Sequence, residues 1–189
     1  LNLEKIVALR PDICIAIKDG NPLAVVQRLE ALNIPLYAVN PTNLKSVMRT
    51  VLEIGTLLNA QDKANQLVQG MDMKLKRLKA LVDKAEHRPR VFFQIGTSPI
   101  VSVGTDTFIH ELIILAGGSN IAVGPITYPR FSREKVLALS PEVIIITSMI
   151  QMATFEKAKT EWEKLPGMPA AQNKHIYFAN ADFFNRPTP

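Results

Sequence analysis

The chain has 189 residues, 47% of them hydrophobic and 21% charged, with a formal net charge of +5. That balance supports a substantial core and excludes a chain disordered by composition. No apolar run approaches the roughly 18 residues of a membrane-spanning helix, and the first residues carry no basic and apolar leader, so a signal peptide is not expected within this chain. The single cysteine, Cys14, lies in an apolar run; it allows no internal disulfide and reads as a small buried hydrophobe before a reactive thiol.

In chain order, Asn2 is placed to cap a helix from Leu3 to Leu9, Arg10-Pro11-Asp12 breaks it, and Ile13 to Ile17 is a short apolar strand. A turn cluster, Lys18 to Pro22, leads to a helix from Pro22 to Leu32 with Pro in its first turn. Leu36 to Val39 is a second strand. Together they form a βαβ unit, for which parallel strands are expected. Asn43 caps a helix to about Leu58, and a longer helix runs from about Gln61 to Glu86, roughly 39 Å at 1.5 Å per residue. A helix of that length suits a brace between two lobes, although a plain surface helix or a coiled-coil arm satisfies the same pattern. Gly70 inside it costs about 1 kcal/mol relative to Ala, too little to break it.

Pro89 closes this helix and the run RVFFQIG, Arg90 to Gly96, opens a second α/β unit. Pro99 to Val103 reads as a strand, Thr105 or Asp106 as the cap of a helix from Phe108 to Ala116, and Gly117-Gly118 as its stop. Asn120 to Arg130 is a Gly/Pro loop carrying Tyr128. A strand from Val143 to Thr147, a helix from about Thr154 to Lys164, a loop and a strand from His175 to Ala179 follow, and the last residues are irregular and rich in Phe and Pro. The part before the long helix holds only two strands, too little for an independent lobe. An N-terminal portion, and a closing helix after Pro189, are therefore expected outside this chain.

One segment occurs twice. EKIVALRPDICIAI, Glu4 to Ile17, and EKVLALSPEVIIIT, Glu134 to Thr147, agree at six of fourteen positions, and both parse as a short helix, a turn around Pro and a strand. A spacing of 130 residues is too long for a solenoid period, so each copy marks an equivalent place in one of two related lobes. Glu opens each copy. The helix macrodipole favours an acid in a first turn and accounts for both glutamates; the Lys that follows each does not follow from that argument.

Catalytic chemistry finds little support. His87, His110 and His175 lack a second His or a carboxylate at ligand spacing, and no nucleophile elbow, P-loop or complete G-x-G-x-x-G occurs. Lys74, Lys76, Arg77 and Lys79 interleave with apolar residues at helical spacing and read as a solvated helix face, with no nucleic-acid motif beside them. Polar and aromatic residues gather in loops that follow strands: Lys18 to Asn21, Gly96 to Ser98 and Asp182 to Arg186, with Tyr128 and Phe131 before the second copy of the repeat. Such loops bind ligands in open α/β sheets. Against that, Phe183 or Phe184 fills the core equally well, although adjacent rings on extended backbone cannot both face inward.

Four stretches taken together, NLEKIVALRPDICIAIKDGNP, RVFFQIGTSPIVSVGTDTFIHELIILAGGSNIA, YPRFSREKVLALSPEVIIIT and ADFFNRPTP, resemble the cobalamin-type periplasmic substrate-binding proteins of ABC importers, a family that also takes haem and iron siderophores. The resemblance implies an α/β fold of two Rossmann-like lobes joined by one long helix, the first lobe incomplete here: a partial N-terminal lobe over 1–58, an interlobe helix over 59–88 and a C-terminal lobe over 89–189. It implies a monomer in the periplasm or lipid-anchored outside the cytoplasm, with no enzymatic role and no cofactor. Its ligand would be cobalamin or another metal chelate, held in a cleft between lobes, where the resemblance places Tyr128, Asp182, Phe183 and Arg186; Lys18 and Phe184 join these candidates from the loops that follow strands. Its partners would be a permease and its ATPase, reached through Glu4 and Glu134, with no nucleic acid and no metal site. Ile17 stands where that cobalamin protein has tryptophan, and its disulfide cysteines are missing.

Overall fold

The computed structural model describes residues 2–18, 21–148 and 152–184. The chain divides into two compact units, Leu1–Pro41 and Thr42–Pro189. The first contains α1 (Leu3–Ala8), β1 (Cys14–Ile17), α2 (Leu23–Ala31) and β2 (Leu36–Val39). β1 and β2 pair in parallel, Cys14 opposite Leu36 and Ile17 opposite Val39, as a βαβ unit requires. The Asn2 side chain accepts the Lys5 amide at 3.0 Å and starts α1. Pro22 sits at the N-cap of α2, one position earlier than expected, where its fixed φ of −60° enters the helix without a side-chain cap. Asn33, at φ 53°, ends α2 in a Schellman turn: the Ile34 amide donates to Leu29 O at 3.0 Å and the Asn33 amide to Glu30 O at 2.9 Å.

Burial in this unit is thin. Leu29 is its one buried hydrophobic side chain among the described residues, while Ile15 and Ile17 are 42% and 55% exposed. Cys14 and Ala16 are half-buried where Ile15 and Ile17 are exposed, the alternation of a strand with one covered face, and Cys14, Ile15 and Ala16 line an apolar cavity of about 240 Å³ with Ile6, Val26 and Leu36. Cys14 is accordingly half-buried.

The second unit starts with α3 (Leu44–Leu57) and α4 (Gln61–Val82). Asn43 and Ser46 cap α3 reciprocally, which satisfies two amides that the helix leaves unpaired. Asn59, at φ 55°, turns the chain into α4. There Gly55 packs so closely on Ala64 that a Cβ would overlap the alanine methyl. α4 is shorter than its sequence pattern, because Lys84 and Ala85 donate to Leu81 O and Val82 O at 3.3 and 3.0 Å, tightening the last turn into i→i−3 bonds.

The sheet contains β3 (Arg90–Thr97), β4 (Ile100–Ser102), β5 (Ser119–Asn120), β6 (Arg130–Phe131), β7 (Val143–Ser148) and β8 (Ile176–Asn180). Its order is β6-β4-β3-β7-β8, with β5 also pairing with β3. β3, β7 and β8 run parallel; β4 is antiparallel to both β3 and β6. Helices α5 (Phe108–Leu115), α6 (Arg133–Leu139), α7 (Met152–Glu163), α8 (Pro169–Gln172) and α9 (Ala181–Phe184) complete the unit.

Side-chain alternation splits the core into two layers. Phe92, Ile144, Ile146 and Ile176 meet Val136 of α6, Trp162 of α7 and Met168. On the other face Val91, Phe93 and Ala179 meet Ile109 and Ile113 of α5. Both faces of the parallel strands are thus covered, which explains their near-continuous apolar runs. Gln94, buried in the first layer, accepts the Trp162 indole N–H at 2.8 Å and donates to Gly96 O at 3.0 Å, so its amide is not stranded among apolar atoms.

Four short elements depart from the sequence reading. Ser119–Asn120 and Arg130–Phe131 pair as strands where a loop was expected, α8 interrupts the expected loop before β8, and Ala181–Phe184 is a helical turn and not extended. The cap of α5 is Thr107, not Thr105 or Asp106: its hydroxyl accepts the His110 amide at 3.1 Å and donates to Gly104 O at 2.9 Å. Gly117, at φ 82°, stops α5 as expected, with Gly118 N donating to Ile113 O at 2.9 Å.

Candidate functional site

The two copies of the repeat are alike in conformation as well as in sequence. Each is a helix, a left-handed residue followed by Pro, and a strand: α1, Arg10-Pro11 and β1; α6, Ser140-Pro141 and β7. The N-caps correspond too, since Ser132 Oγ accepts the Lys135 amide at 3.2 Å just as Asn2 accepts that of Lys5. Glu4 and Glu134 therefore occupy the same exposed place, second in the helix. The Glu134 carboxyl is held below its ordinary pKa, chiefly by its own backbone amide and then by the Ser132 hydroxyl, with a smaller contribution from Arg133. Helix-start chemistry thus accounts locally for Glu134. It does not account for Lys135, which is exposed in the first turn of α6, against the dipole; Lys5 counts in the last turn of the six-residue α1.

Tyr128 precedes β6, the outermost strand, and is 57% exposed. Its loop is fastened to the segment after β4 at several points. The Ser102 amide donates to Pro129 O at 3.0 Å and the Gly104 amide to Thr127 O at 2.7 Å. Thr105 Oγ1 accepts the Gly124 amide at 3.2 Å. Buried Asn120 donates to Val103 O at 2.9 Å and to His110 Nδ1 at 3.1 Å, and accepts the Ala122 amide at 3.0 Å. On this pinned backbone Val123 and Ile126 are 58% and 62% exposed. The sequence reading missed both. A Gly/Pro loop holding two exposed aliphatic residues beside a tyrosine was the signal available.

Asp182, Phe183 and Phe184 lie in α9, directly after β8. The Phe184 ring turns inward, 5.9 Å from that of Phe93 and partly buried in the second core layer. Phe131 is also a core residue, edge-on to Phe92 at 5.3 Å. The side chains of Asp182 and Phe183, and the whole of Arg186, lie outside the described residues. Lys18 follows β1 in the first unit, its amide donating to Val39 O at 2.7 Å and its side chain exposed.

Within the second unit, Tyr128 and α9 flank opposite edges of the sheet, before β6 and after β8. Four strand spacings of about 4.8 Å set those edges about 19 Å apart. At the end of β7 Thr147 is buried and its hydroxyl has no hydrogen-bond partner among the described residues. Among the described residues no group of three His, Cys, Asp or Glu side chains is placed to hold a metal ion, and no helix is long and apolar enough to cross a membrane.

A mixed sheet with helices on both faces and loops fastened by backbone hydrogen bonds is the frame on which these candidate residues stand. The chain belongs to the periplasmic binding protein family, whose model matches residues 1–183. Among curated proteins it is 29% identical to the vitamin B12-binding protein of Vibrio parahaemolyticus over 190 residues, covering 100% of this chain and 67% of that protein. With the vitamin B12-binding protein of Yersinia pseudotuberculosis the identity is 27%, covering 100% of this chain and 65% of that protein. The chain thus spans about two thirds of the length of these relatives. Among solved structures, the periplasmic vitamin B12 binding protein of Vibrio cholerae matches with a TM-score of 0.80 at 26% identity, covering 100% of this chain and 72% of the other. The periplasmic heme binding protein HutB of Vibrio cholerae matches with a TM-score of 0.86 at 20% identity, covering 97% and 73%; that likeness is one of fold.

Proposed function

We propose that this chain is the solute-binding component of an ABC importer, capturing a corrinoid and delivering it to a permease. One observation supports the reading above the others: similarity to vitamin B12-binding proteins runs the whole length of the chain, at 29% identity for the Vibrio parahaemolyticus protein. The ligand-binding residues in this reading are Lys18, Tyr128, Asp182, Phe183, Phe184 and Arg186. Phe184, seated on Phe93, holds the α9 turn in place. The ligand is cargo; the protein carries no cofactor of its own and catalyses nothing.

Residues 1–58 and 89–189 act in this reading as two lobes and 59–88 as the helix that joins them. The protein works as a monomer, in the periplasm or tethered by lipid outside the cytoplasm. Glu4 and Glu134, which open the two copies of one motif, are its contacts with the permease. Exposed ion pairs are individually weak, so their role is orientation.

A second reading, a haem or ferric-siderophore carrier, draws on Tyr128, whose exposed ring carries a phenol able to ligate iron. Titration with cyanocobalamin, hemin and a ferric siderophore separates the two. Delivery is tested by the Glu4→Ala, Glu134→Ala double variant, which is expected to lose stimulation of the importer's ATPase while binding ligand as tightly as the parent. Loss of ligand affinity with stimulation retained at saturating ligand contradicts the docking role.

A further inference from the structure

The loop that carries Tyr128 is shaped by a residue in the segment after β4. Gly104 is buried and its amide donates to Thr127 O at 2.7 Å. A Cβ at Gly104 would collide with the Ile126 carbonyl oxygen and lie 3.2 Å from Thr127 O. Both obstacles are main-chain atoms, so no side-chain rotation relieves them. Gly104 is not among the residues with left-handed backbone; space alone excludes a larger residue here. The backbone that a Cβ would displace ends one residue before Tyr128. Nearby bonds to Ser102, Thr105 and Asn120 leave the loop few other ways to yield.

We propose that Gly104 is a positioning residue for ligand capture: the missing side chain lets Ile126 and Thr127 lie against the segment after β4, which sets the Tyr128 ring, with Ile126 beside it, at the height and angle a bound chelate meets. This inference rests on the reading of Tyr128 as a ligand contact. Ring contacts depend on offset and tilt, so a shift of the loop backbone lowers affinity without removing any contacting group.

The test is a double-mutant cycle in the full-length protein, with Gly104→Ala and Tyr128→Ala singly and together, reading dissociation constants for cyanocobalamin, hemin and a ferric siderophore. Tyr128→Ala is expected to weaken binding of one of these ligands about tenfold, the upper range for a lost ring contact. Gly104→Ala is expected to weaken the same ligand about fivefold or more in the parent and by less than about twofold when Tyr128 is already Ala, as coupling through one side chain requires. Should Gly104→Ala lose its cooperative unfolding transition, Thr105→Val takes its place, since it removes the hydroxyl bonded to Gly124 and adds no bulk. Unchanged affinity in Gly104→Ala, or an equal loss in both backgrounds, overturns the positioning role while Tyr128 stands. If Tyr128→Ala leaves binding of all three ligands unchanged, the ligand-contact reading itself fails, and this inference with it.

Discussion

Arg10 and Ser140, 130 residues apart, share a left-handed backbone, with φ of 45° and 48°. Each stands between the end of a short helix and a proline, at the same position of the repeated segment. A residue with a Cβ is strained there by roughly 1–2 kcal/mol. Glycine releases the strain and loses part of the gain to the greater freedom of its unfolded chain. Arg10→Gly and Ser140→Gly are each expected to raise stability by up to about 1 kcal/mol in urea denaturation. Ile, which is β-branched, should lower it at either position.

The contact between α3 and α4 depends on Gly55. Because a Cβ there would overlap the Ala64 methyl, Gly55→Ala is expected to cost about 1–3 kcal/mol by overpacking. Gly70→Ala, where an added Cβ meets nothing within 4 Å beyond its chain neighbours and the backbone of its own helix, should gain up to about 1 kcal/mol from helix propensity. Thermal unfolding of the two variants gives shifts of opposite sign.

Glu142 ties the start of β3 to that of β7. Its Oε2 accepts the Arg90 amide at 2.9 Å and its Oε1 lies 2.8 Å from His87 Nε2. The Arg90 backbone hydrogen bond, followed by the contact with His87, holds the carboxyl below its ordinary pKa of 4.5. A depressed carboxylate contributes stability that is complete above the unfolded pKa and is lost as pH falls through the folded one. Glu142→Gln is therefore expected to be less stable than the parent near neutrality, by about 1–2 kcal/mol for a charge-assisted bond. The gap should close as pH drops below 4.5. A gap that widens in acid would contradict this assignment.

Thr147 carries a buried hydroxyl without a partner among the described residues. Thr147→Val keeps the branched shape and removes the unsatisfied oxygen, so stability should rise by about 1 kcal/mol. The chemical denaturation midpoint reports it.

Much of this architecture is legible in the residues because its signals are local. Asn2, Asn43 and Gly117 announce helix ends by their own chemistry, Pro11 and Pro141 mark the same turn twice, and the Ile-rich runs after them are strands. What stayed hidden is set by distant partners. Ser119–Asn120 and Arg130–Phe131 are strands only because β3 and β4 lie alongside. Thr107 caps α5, in preference to its neighbours, because it also reaches back to Gly104 O. In the candidate site, Tyr128 stood out as an aromatic in a Gly/Pro loop. The inward turn of Phe184 onto Phe93, the buried amide of Asn120 and the steric demand at Gly104 arise from packing between segments far apart in sequence, and no spacing encodes them.

The most direct measurement is a visible-spectrum titration of the full-length protein with cyanocobalamin, hemin and a ferric siderophore, repeated with Tyr128→Ala. Capture of a corrinoid predicts saturable, one-to-one binding of cyanocobalamin that the variant weakens, with hemin and the siderophore failing to compete. Saturable binding of hemin or the siderophore, with cyanocobalamin inert, would contradict it.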